Sequence, residues 1–186
     1  MSRANKRSCL LGLGALLLIA FAMWARYASR TVLHHNGWNY LRSGIYIFLF
    51  SAWGFSIRIR IVQPQARRYL LRISALMVLW LLLRSVKFSV DNPDWERWLW
   101  YLYYVPMLLI PLLAAFVSLS LGRGEDFRLP GAVKLLYVPT VLLLLLVLTN
   151  DWHYSVFSFP AGVATDGDYR YGAGYYLVLG WELVCA

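Results

Sequence analysis

The feature that most constrains this chain is an apolar run that begins near Ala132 and ends in VPTVLLLLLVLTNDWH, residues 138–153. An uninterrupted stretch of about 18 apolar residues is the length that spans a bilayer as a helix. The far end of the run turns abruptly to Thr149, Asn150, Asp151, Trp152 and His153. A hydroxyl, an amide, a carboxylate, an indole and an imidazole cannot lie unpaired in hydrocarbon, but they suit a membrane–water interface or a wet cavity between helices. Two roles follow for this end: a polar helix terminus with a tryptophan anchor, or the floor of an outward-facing pocket.

The rest of the chain repeats the pattern. Of 186 residues, 60% are hydrophobic, against about 45–50% in soluble domains. Nine Trp and thirteen Tyr cluster where apolar runs begin or end, which is where amphipathic rings sit at a membrane interface. The apolar segments predict an all-α polytopic helix bundle in one membrane domain, residues 1–186. It has five complete spans at about 9–25, 41–57, 69–90, 98–121 and 132–149, and a partial sixth at 174–186. So short a run rises only about 18 Å as a helix, less than a core of roughly 30 Å. Pro106 and Pro111 are expected to kink the fourth span, because each removes a backbone donor and crowds the preceding turn. Pro64 is read as a turn and Pro93 as a helix breaker.

A net charge of +9 invites a nucleic-acid reading. The basic residues are instead spread among the loops, so they report orientation, and no nucleic-acid partner is expected. Arg3, Lys6 and Arg7 precede the first span; Arg58, Arg60, Arg67 and Arg68 fill the loop after the second; Arg123, Arg128 and Lys134 fill the loop after the fourth. The intervening loop DNPDWER carries Asp91, Asp94 and Glu96. This alternation predicts an N-terminus in the cytoplasm and a chain that is multi-pass in the cytoplasmic (plasma) membrane.

Catalytic signatures are missing: the chain has no phosphate loop, no H-E-x-x-H and no G-x-S-x-G. No catalytic residue, cofactor or metal is therefore expected, and the chain is not read as an enzyme. His34 and His35 are adjacent and point apart, Asp166-Gly167-Asp168 lacks the other ligands of a calcium loop, and Cys9 and Cys185 form no metal or disulfide framework. Glu182 is the one acidic residue placed well inside a span, and Arg84, at similar depth on the third, is its candidate partner. Thr149, Asn150, Asp151 and His153, capped by Tyr101 and Tyr104, form the candidate ligand site, a small aromatic-walled cavity beside the kinked fourth span.

Taken in order, WYLYYVPMLLIPLL, RLPGAVKLLYVP, LLLLLVLTNDWH, VFSFP and YGAGYYLVLGW resemble the N-terminal seven-transmembrane sensor region of bacterial histidine kinases, most strongly from Arg97 to Trp181. The family commonly carries N-D-x-H where this chain has Asn150, Asp151 and His153, with Trp152 in the variable place. The resemblance implies a sensor of a two-component system that receives a signal outside or within the bilayer and passes it to a cytoplasmic output domain; a longer parent protein would be the kinase. A seventh span and an output domain are expected to be missing from this chain. The competing readings are a small transporter, for which no repeated half is visible, and a non-functional fragment. The expected partners are the lipid bilayer, a small extracellular or membrane-derived ligand, and a second copy or another membrane chain seated on the bare helix faces.

Overall fold

The computed structural model describes residues 12–24, 27, 37–61, 63–87, 89–124, 127–160 and 169–186. Arg3, Lys6, Arg7, Cys9, Arg26, Arg30, His34, His35 and the 166–168 turn lie outside the described residues. The fold is all-α, with α1 Gly12–Trp24, α2 Gly37–Arg60, α3 Pro64–Lys87, α4 Pro93–Leu102, α5 Tyr104–Ser120, α6 Gly131–Lys134, α7 Tyr137–Leu148, α8 Asn150–His153 and α9 Ala173–Cys185. A two-stranded antiparallel ribbon, β1 Phe157–Ser158 with β2 Arg170–Tyr171, closes the loop between α8 and α9 and pairs Phe157 with Tyr171.

Among the described residues three stretches are long and apolar enough to cross a membrane: Pro64–Lys87, Pro93–Ser120 and Gly131–Leu148. Gly12–Trp24 and Ala173–Cys185 are apolar but shorter. Helix α2 has the length, at 24 residues, but Arg42, Arg58 and Arg60 dilute its apolar character. Leu135, Val138, Leu142 and Leu145 form an exposed apolar stripe that runs from the end of α6 along α7, and Leu177, Leu183 and Val184 are exposed on α9. Water would penalise such surfaces and hydrocarbon does not. This is a membrane protein.

Prolines set the element boundaries, though not always where they stand. Pro93 opens α4 at its first turn instead of breaking a helix, and Asn92 caps that helix by accepting from the backbone N–H groups of Asp94 (2.9 Å) and Trp95 (3.4 Å). Pro64 likewise opens α3. A first-turn proline lacks only an N–H that a helix leaves unbonded anyway. Asp94 and Glu96 then sit at the positive end of the α4 dipole. Lys87, only 7% exposed at the end of α3, pairs with Glu96 at 3.4 Å.

The fourth span breaks at Tyr103, between α4 and α5. Pro106 is the cause: it has no N–H to donate to the Leu102 carbonyl, so the helical ladder lapses just after Leu102. Pro111 stays inside α5 without a break. Pro139 acts on the fifth span as Pro106 does on the fourth. It cannot bond the Leu135 carbonyl, and α6 is separated from α7 at Leu135 and Leu136.

Helix α5 is the centre of the bundle and packs on α3, α4, α7 and α9, while α2 packs on α3. Two core clusters lie along it. One holds Tyr69, Ile73, Leu112, Leu113, Phe116 and Cys185, at the end that carries the basic loops. The other holds Trp100, Tyr101, Tyr104, Leu108, Val147, Phe157 and Val178, at the end that carries Asn150. Between them Trp181 Nε1 donates to Thr140 Oγ1 at 2.9 Å, and that hydroxyl donates to the Leu136 carbonyl at 2.9 Å.

Candidate functional site

The polar end of the long apolar run folds into a tight corner. Helix α7 ends at Thr149, whose hydroxyl donates to the Leu145 carbonyl at 2.8 Å. One further turn, α8, is closed by Tyr154 in the left-handed region (φ 49°), with its N–H on the Asn150 carbonyl at 2.7 Å. A non-glycine residue there costs about 1 kcal/mol, so other bonds must hold the turn.

Asn150 supplies them. Its side chain is fully buried. Its Oδ1 accepts from the backbone N–H groups of Val156 (3.0 Å) and Phe157 (2.9 Å), and its Nδ2 donates to the Phe157 carbonyl (2.8 Å) and the Tyr101 hydroxyl (3.0 Å). The amide has two donors and two acceptor positions, and every one is used. The Tyr101 hydroxyl in turn donates to Asp151 Oδ1 at 2.7 Å. Arg97 Nε stands 3.5 Å from Asp151 Oδ2, an ion pair without hydrogen-bond geometry at that nitrogen, and Arg97 Nη2 donates to Asp94 at 3.1 Å. The Arg97 guanidinium also lies 5.5 Å from the centre of the Phe159 ring.

His153 is exposed at the rim. The Ser155 N–H donates to its Nδ1 at 3.1 Å, so in the neutral ring the proton sits on Nε2, which faces Thr149 Oγ1 at 3.3 Å. The chain then returns along β2 into α9. Gly172 donates to the Val156 carbonyl and Gly174 to the Ser155 carbonyl, both at 2.9 Å. A Cβ on Gly172 would overlap the Ser155 carbonyl, so only glycine fits this approach.

The structure therefore brings Tyr101, Thr149, Asn150, Asp151 and His153 together, with Tyr104 in the adjoining aromatic cluster. The Phe157 ring packs beside them, fully buried, 4.6 Å from Trp100, 5.6 Å from Tyr104 and 5.6 Å from Tyr169, centre to centre. Cavities of about 680 and 400 Å³ lie toward the opposite end of the bundle.

Arg84 and Glu182 are not joined. Cys185, one helical turn beyond Glu182, packs in the cluster of Tyr69 and Ile73, near the start of α3. Arg84 lies about 16 Å of helix rise further along α3 from Ile73. Glu182 Oε1 is buried with no hydrogen-bond partner among the described residues. Arg97 and Phe157 belong to the corner but escape a reading of the sequence; the only signal for Phe157 is its place in VFSFP, shortly after Asn150.

No curated protein and no solved structure matches the chain. The family model described as the N-terminal 7TM region of histidine kinase matches residues 40–186, which takes in nearly all of α2, the bundle through α9 and the whole Asn150 corner. The chain belongs to this family of histidine kinase membrane regions.

Proposed function

We propose that the chain is the membrane-embedded signal-input module of a bacterial signal-transduction protein, and that it reads its signal at the Asn150 corner. It lies in the cytoplasmic membrane with its N-terminus inside, and α1 and α2 complete a set of five spans followed by the shorter α9. The observation that carries the reading is that one buried amide fastens three elements. Through Tyr101 it holds α4, through its own backbone the end of α7, and through Val156 and Phe157 the ribbon that leads into α9. A ligand that disturbs the exposed rim of this corner acts on all three helices at once.

The rim offers a carboxylate, a guanidinium and an imidazole. Asp151 and Arg97 are about a fifth exposed, and His153 is open. A small polar or amphipathic ligand that competes for the Arg97–Asp151 pair would release the Tyr101 hydroxyl from Asp151. Asp151→Asn and His153→Ala, made in a full-length kinase that carries this region and has a measurable output, should change the response to signal at normal protein abundance. An unchanged response in both variants would show the corner to be a structural cap.

A further inference from the structure

The end of the bundle opposite the Asn150 corner is hollow, and its lining is cationic. A cavity of about 680 Å³ is bounded by Arg68 and Arg72 of α3, Arg128 of the loop before α6, Lys134 of α6 and Tyr137 of α7. Among the described residues none of these four cations has an acidic partner. The site is braced by Gln65, whose amide, oriented to satisfy both its groups, donates to the Phe127 carbonyl and accepts from the Leu129 N–H at 3.0 Å. Arg68, Arg72, Arg128 and Lys134 are exposed, so the charges are available to a ligand.

A second cavity of about 400 Å³ adjoins the first and shares Arg72 and Tyr137 with it. Its other walls are apolar: Leu76 and Leu79 from α3, and Leu109 and Leu113 from α5. The stripe of α3 that faces both cavities changes from Arg68 and Arg72 to Leu76 and Leu79. From Arg72 to Leu79 is about 10 Å of helix rise. The surface is therefore polar and positive at the interface and apolar one to two turns deeper, in the direction in which a lipid passes from headgroup to chain. A soluble anion would use the first cavity and leave the second without a role.

The geometry points to a binding site for one anionic phospholipid, with its phosphate among Arg68, Arg72, Arg128 and Lys134 and an acyl chain between α3 and α5 against Leu76, Leu79 and Leu113. The inference needs the bundle to lie in a membrane, but it does not depend on the Asn150 corner being a sensor.

The test is native mass spectrometry of the full chain released from detergent after equilibration with equal amounts of phosphatidylglycerol and phosphatidylcholine. The chain should retain phosphatidylglycerol preferentially. Arg68→Gln with Arg128→Gln should lower that preference roughly tenfold or more, since each basic residue near anionic lipid contributes appreciably. Leu79→Trp, which fills the apolar cavity without changing charge, should lower it as well. Arg58→Gln with Arg60→Gln, the same charge change on α2 outside the cavity, should leave it intact. The site is overturned by an equal loss in the α2 variant or by no preference in the parent chain. Full displacement by inorganic phosphate, or no effect of Leu79→Trp, would assign the cavity to a soluble anion and overturn the lipid.

Discussion

Replacing Asn150 by Ala would strip partners from two backbone N–H groups, one carbonyl and the Tyr101 hydroxyl at once. Each buried unsatisfied group costs about 1–3 kcal/mol, and water entering the gap would restore some of the bonds, so a net loss of about 3 kcal/mol is expected. Thr149→Ala removes only a bond to the helix's own backbone and a long contact to His153, and should cost under about 1 kcal/mol. Denaturant unfolding of the two variants in detergent would check the contrast, and equal losses would deny Asn150 its special role. The sequence shows that these polar groups must be paired, because they end an apolar run. It does not show the partners, since Phe157 approaches Asn150 from the β1 strand and Tyr101 from a distant helix. Arg97 is hidden for the same reason: its neighbour Asp94 is local, but Asp151 is not.

Between residues and the bundle, the helices follow rules that the sequence carries but that are easily misapplied. A proline in an apolar run is readily taken as a stop or a bend at its own position. Here Pro64 and Pro93 open helices, while Pro106 and Pro139 break theirs near the carbonyl one turn earlier. The apolar runs are legible because burial in lipid needs length and composition alone; the offsets at their ends depend on single missing N–H groups. The contact between α2 and α3 rests on small residues. A Cβ on Gly54 would meet Ser74 Oγ at 2.5 Å, and that hydroxyl donates to the Phe50 carbonyl at 2.8 Å. Gly54→Leu should push the pair apart and destabilise the protein by about 1–3 kcal/mol, which a lower midpoint of thermal unfolding would reveal. Ser74→Ala should be tolerated far better, and similar losses in both would place the close contact elsewhere.

For the whole molecule, charge predicts orientation. The loops and helix ends on one side carry Arg58, Arg60, Arg67, Arg68, Arg123, Arg128 and Lys134, and the turn into α4 on the other side carries Asp91, Asp94 and Glu96. In a background without Cys9 and Cys185, a cysteine at Asn92 should react with an impermeant thiol reagent added outside intact cells, and one at Gln65 should not. The reverse pattern would invert the topology. The sequence could not show where the bundle is solid and where it is empty, because that depends on how rings from several separate segments fill one space.

That unevenness has a mechanical consequence. Close-packed rings around Phe157 resist compression, whereas voids yield to it. Helices α3 and α7 therefore have room to shift where they border the cavity, while the helix ends joined at the Asn150 corner can move only together.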